Sequence, residues 1–201
     1  MPAEKPASRP YHHGDLRSAL LDAAERTLRD KGTASLSLRE LARDLGVSHA
    51  APGRHFKDKQ ALLNALALVG YDRMAEALEA ADEPGLALRD RLTVLARTYL
   101  GFAIDNAELL ELMYARKHKP EAAEQMAAGI DRTVGALARA VAAAQQRGEI
   151  VDGDPEQLTL VVGTSLHGLA SFAATGMFTT EAAMQAVPEL VHHLMHGLEP
   201  R

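Results

Sequence analysis

Apolar residues recur at three- and four-residue spacing along almost the whole chain, the interval that gathers them on one face of an α-helix. Leu16, Ala19, Leu20, Ala23, Ala24, Thr27 and Leu28 form the first stripe, and Gly32 follows where a helix end favours positive φ. Ser37 and Glu40 have the spacing of a capping box, with Leu36 and Leu41 at the positions of a hydrophobic staple. A second helix therefore starts near Leu38, its inner face Leu38, Leu41, Ala42 and Leu45, and Gly46 supplies the tight turn. Ser48 is placed to cap a third helix over Ser48–Phe56, and Asp58 a fourth that runs to about Ala80.

Asp82-Glu83-Pro84-Gly85 breaks the pattern, which resumes across Ala87–Ile104, Glu108–Tyr114 and Pro120–Gln146. Arg147–Gly153 reads as a loop. Asp154 followed by Pro155 marks the start of a helix reaching about Ala174, and a last helix fits Thr180–Gly197. Strand signals are nearly absent. The prediction is an all-α fold of about nine helices, preceded by a flexible, Pro-containing arm at residues 1–10.

Composition narrows the function classes. The 201 residues are 47% hydrophobic, enough for a real core, and contain no Cys, which excludes disulfides and thiolate metal sites. No apolar run approaches the length of a membrane span and no apolar signal core opens the chain, so a cytoplasmic protein without a membrane partner is expected. The net charge of −5 is unevenly spread: residues 1–62 hold 11 Lys+Arg against 8 Asp+Glu, whereas residues 63–201 hold 11 against 19. A mildly basic head on an acidic body suits nucleic-acid binding at one end.

That head has the steric signature of a helix-turn-helix: two short helices, a Gly-containing turn, small Ala42 four residues before Gly46, and Val47 expected to be buried after it. Arg39, Ser48, His49, Ala50, Ala51, Gly53, Arg54 and His55 are the candidate contacts to bases and phosphates, with Lys57 and Lys59 adding charge. The run YHHGDLRSALLDAAERTLRDKG, then SLSLRELARDLGVSHAAPGRHFKDKQALL, closely resembles the DNA-binding domain of the TetR (tetracycline-repressor-like) family over about 55 residues. The resemblance implies a DNA-binding domain at 11–58 whose third helix enters the major groove. It also implies a long helix leading into a ligand-binding and dimerisation domain at 59–201. The partners it implies are double-stranded operator DNA, a second copy of the chain in a homodimer, and a small apolar effector. By position, Arg39 and His55 match base- or backbone-reading places and Lys59 a phosphate contact. Gly53 departs from the family pattern, in which a tyrosine ring commonly meets the backbone there. ELLELMYARKHKP and SLHGLASFA are similar to the subgroup named for a Trp-His-Gly motif, with Leu166 at the tryptophan position.

In the acidic body the aromatic Tyr99, Phe102, Tyr114 and Phe172, together with Met113, Met126, Ile130 and His167, are the candidate walls of an apolar pocket. Small residues between Gly163 and Ala174, with Leu190, Val191, Leu194 and Met195, suit either a dimer interface or packing within the chain. His192 and His196 stand at a metal-binding spacing, but no acidic partner beyond Glu189 is near, and no metal or cofactor is expected. Gly163-Thr164-Ser165-Leu166-His167 has a serine in a helical context and lacks the closing glycine of a nucleophile elbow, so no enzyme is expected. The alternative to a DNA-binding regulator is an all-α small-molecule-binding protein without specific DNA binding.

Overall fold

The computed structural model describes residues 13–198, so the arm assigned to 1–10 lies outside the described residues. The α-helices are α1 (His13–Lys31), α2 (Leu38–Asp44), α3 (Lys59–Ala81), α4 (Leu88–Asp105), α5 (Ala107–Lys117), α6 (Pro120–Gln146), α7 (Pro155–Ala174) and α8 (Thr180–Leu198), with 3₁₀ turns at Thr33–Ser35 and Pro52–Arg54. No strand occurs among the described residues.

There are thus eight α-helices among the described residues rather than about nine, and the missing one is the third. Proline explains the difference: in an α-helix over Ser48–Phe56, the nitrogen of residue 52 would donate to the Ser48 carbonyl, and Pro52 has no N–H. Ala51 N–H takes that carbonyl instead at 2.9 Å, and the chain closes into a 3₁₀ turn at Pro52–Arg54. Gly53 gives the backbone no side-chain reason to stay helical.

The chain packs as two compact units that divide inside α3, between Leu66 and Ala67. In the first, Leu20, Leu28, Leu36, Leu41 and Phe56 are buried to 2% exposure or less. Leu36 and Leu41 are both buried as a staple requires, but the Ser37 hydroxyl makes no capping bond. Glu40, the other half of the expected box, lies 4.0 Å from Arg43.

In the second unit α4 packs against α6, α7 and α8, and α7 also against α6 and α8. Asp154 caps α7 by accepting from Glu156 N–H at 2.9 Å, with Pro155 at the first helical position. Two glycines let neighbours close on α3. A Cβ at Gly70 would stand 2.5 Å from Met113 Sδ, and one at Gly129 of α6 would stand 2.9 Å from Tyr71 Cβ.

Arg91 and Asp82 join α4 to the end of α3 through two parallel bonds, Nε to Oδ1 at 2.6 Å and Nη2 to Oδ2 at 2.9 Å, with side chains only 3% and 7% exposed. Removing one member of such a pair strands a buried charge. Asp82→Ala should therefore lower the unfolding free energy by about 3–5 kcal/mol. Arg139, which reaches the same carboxylate from an exposed position at 3.7 Å, should cost no more than about 1 kcal/mol when changed to Ala. Urea denaturation of the two variants measures both; equal losses would show that burial does not set the energy of this pair.

Candidate nucleic-acid interface and ligand cavity

The turn after α2 has the geometry its glycine predicts. Gly46 sits at φ 67°, Val47 N–H donates to Ala42 O at 2.9 Å and Gly46 N–H to Arg43 O at 3.1 Å. These two bonds satisfy the last carbonyls of α2 as a Schellman motif. Val47 is half-buried rather than buried.

Beyond that turn, Ser48, His49, Ala50, Gly53, Arg54 and Lys57 are exposed, as is Arg39 on α2. Ala51 is half-buried, and Pro52 and Phe56 anchor the segment from below. Arg17 lies 5.4 Å from the centre of the Phe56 ring. His55 is half-buried, its Nε2 enclosed without a hydrogen-bond partner, so the ring faces the unit's interior more than solvent. Lys59 Nζ donates to Ala34 O at 3.0 Å and ties the start of α3 to the connection between α1 and α2. Asp58 accepts from Ala61 N–H at 2.8 Å and caps α3.

The second unit holds a cavity of about 440 Å³ walled by α4–α7 and by Leu78 of α3, within the range of small-molecule sites. Of the expected wall residues, Tyr99, Tyr114 and His167 line it, and they form one cluster. Tyr99 Oη lies 3.0 Å from Tyr114 Oη and 2.8 Å from His167 Nδ1, while the Tyr114 and His167 rings stack 4.2 Å apart. With one proton, the Tyr99 hydroxyl donates to one of these neighbours and accepts from the other.

The structure places the other five elsewhere. Met113 and Met126 are fully buried packing residues, and the Met113 carbonyl accepts from the Tyr71 hydroxyl at 3.3 Å. Phe102 and Ile130 are half-buried away from the wall, and Phe172 is 47% exposed against Phe178. Apolar character alone did not say which residues of each helix face the cavity and which pack elsewhere.

Several polar wall residues were missed, among them Lys117, Glu156 and Thr159. Lys117 stands one turn beyond Tyr114 with its ammonium 5.9 Å from that ring. Thr159 is 6% exposed and its hydroxyl has no partner. The available signal was spacing: Thr159, Gly163 and His167 recur every four residues on one face of α7.

The remaining candidates are engaged locally. Ser165 Oγ donates to Val161 O at 2.9 Å inside α7. His192 Nδ1 is 3.0 Å from Arg89, and His196 Nδ1 is 2.9 Å from the His192 carbonyl. Among the described residues no group of three His, Cys, Asp or Glu converges as a metal site, and no helix is long and apolar enough to cross a membrane.

Residues 20–66 match the sequence profile of the bacterial regulatory proteins of the TetR family, and residues 92–198 match that of the tetracyclin repressor-like C-terminal domain. The chain belongs to the TetR family. An HTH-type transcriptional regulator of Mycobacterium tuberculosis is 30% identical over 141 residues, 67% of this chain. That match spans only 59% of the relative's own length. A protein of unknown function from Rhodococcus sp. RHA1 is 43% identical, with a TM-score of 0.87 over 96% of this chain and 100% of that one. A TetR-family bacterial regulatory protein from Rhodococcus RHA1, 23% identical with a TM-score of 0.72 over 92% and 97% of the two chains, shares the fold. The C-terminal match runs through Leu166-His167-Gly168, so the cavity cluster lies within family-type sequence.

Burial, and then the Lys117 charge, hold the His167 pKa below its ordinary value. The unfolded chain therefore takes up the His167 proton first as pH falls, and the native state loses stability from about pH 6.5 down towards the lowered folded value. His167→Gln should flatten that limb of the pH–stability curve. Lys117→Met, by removing a neighbouring positive charge, should raise the His167 pKa seen by imidazole NMR; an unchanged or lower value would contradict the placement of Lys117.

Proposed function

We propose that this TetR-family protein is a cytoplasmic, ligand-responsive repressor that binds a pseudo-palindromic operator as a homodimer and is released by a small, largely apolar effector. The observation that carries the reading is the segment Ser48–Lys57, which follows a closed helix-turn and offers exposed Arg54, Lys57, Ser48, His49 and Ala50 over the buried side chains of Pro52 and Phe56. Arg54 and Arg39 supply base-reading donors, and Lys57, the freer of the two lysines, supplies phosphate charge.

Dimerisation is supported by apolar side chains left uncovered on α7 and just beyond it: Val161, Phe172, Met177 and Phe178 are 42–64% exposed. By contrast Ala170, Val191 and Met195 are buried within the chain itself and serve its own core. The effector acts on the DNA-binding unit through α3, a continuous helix whose Leu78 lines the cavity and whose first turn follows the reading segment. A ligand that prefers one seating of α3 shifts the population of heads competent for the operator.

Fluorescence anisotropy with the DNA upstream of the protein's own gene, against random DNA of equal length, tests the reading. Arg54→Ala should cost about 1–3 kcal/mol on the operator and relax preference at one base per half-site. Lys57→Ala should weaken both DNAs alike and lower the salt slope by about one per subunit. Wild-type protein that binds both DNAs equally would instead favour a small-molecule-binding protein without specific DNA recognition.

A further inference from the structure

The cavity is uneven in charge, and the unevenness says what kind of molecule it suits. Most of its wall is aliphatic, supplied by side chains such as Leu95, Leu137, Leu160 and Leu166. Lys117 and Glu156 are the two formally charged side chains on that wall. Lys117 lies over Tyr114 and close enough to His167 to lower its proton affinity, so it belongs to the Tyr99–Tyr114–His167 end. Glu156 stands on α7 eleven residues before His167, three turns of helix and roughly 16 Å away along the axis. Among the described residues, no carboxylate pairs with the Lys117 ammonium. Gly163, between the two ends, leaves the middle of α7 without a side chain, and a Cβ there would meet Leu137 at 3.6 Å.

We infer that the cavity takes a medium-chain carboxylate, its tail along the apolar face of α7 and its anionic head against Lys117, Tyr114 and His167. The inference rests on the proposal that this cavity is the effector site and adds the chemistry of the effector. An ammonium over an aromatic ring, beside a phenol and an imidazole that share one hydrogen-bond chain, can give a carboxylate charge-assisted bonds from half-buried donors. Glu156, exposed at the opposite end, disfavours the reversed orientation in which the anionic head would lie beside it. A neutral chain gains the apolar burial but not the ionic contact. A cationic amphiphile would have to place its head beside Lys117 or reverse.

The test uses the full chain with Nile red as a neutral reporter and decanoate, 1-decanol and decane as competitors, with the His167 imidazole signals followed by NMR. Decanoate should displace the dye at least about tenfold more tightly than 1-decanol, the equivalent of about 1.4 kcal/mol. It should also raise the His167 pKa, because a carboxylate beside an imidazole favours its charged form. Lys117→Met, which keeps the apolar stem, should abolish the preference for decanoate over 1-decanol, and Lys117→Arg should retain it. Displacement by decanol or decane as strong as by decanoate, or a preference that survives Lys117→Met, would overturn the inference and leave the cavity an apolar effector site. If Nile red does not bind and no competitor moves the His167 signals, the effector-site reading falls and this inference falls with it.

Discussion

The seating of α3 is the constraint on which the second unit's architecture depends. Between Gly70 and Tyr71 this helix is approached so closely by α5 and α6 that neither Gly70 nor Gly129 has room for a methyl group without a neighbour moving. The Tyr71 hydroxyl, held neutral chiefly by burial, fastens the same level of α3 to the Met113 carbonyl of α5. One turn further on, Arg132 of α6 reaches Asp72 and Glu79 at 3.3 and 2.8 Å. At the helix end Asp82 receives the buried Arg91 fork. Exposed pairs such as those of Arg132 add little. Close packing and the buried pair leave α3 with few alternative positions, and close-packed interfaces move between discrete arrangements rather than deform continuously.

The cavity stands against that arrangement. Leu78 lines it from α3, and α5, which carries Tyr114 and Lys117 into the wall, is the helix that meets Gly70 through Met113. A ligand that presses on Tyr114 therefore presses on the element that seats α3. Because α3 continues without a break into residues 59–66, a change in its seating has a covalent path to the segment that offers Arg54 and Lys57.

Much of this was legible in the sequence because helical spacing and caps are local. Gly46 and Asp154 announced their turns, and the boundaries of α6 and α7 fell where Pro120 and Pro155 put them. The third helix misled because Ser48 looks like a cap and the residues beyond it tolerate a helix, while the lost donor at Pro52 is decisive only once the Ser48 carbonyl must find another partner. The cavity was half legible. Tyr99, Tyr114 and His167 were among eight residues taken as apolar walls, and Met113, Met126 and Phe102 share that character and differ in which neighbour covers them. Lys117 was passed over because a lysine after an aromatic residue usually reads as a solvated helix end.

If α3 couples the two units, filling the cavity and holding the operator oppose one another by a finite coupling free energy. The direct measurement is operator affinity, by anisotropy, with the cavity empty and with it saturated by decanoate as confirmed through the His167 signals. The account predicts a loss of roughly 5- to 150-fold, and the same factor in decanoate affinity when operator is saturating. Operator affinity that stays unchanged with the cavity demonstrably full would contradict it.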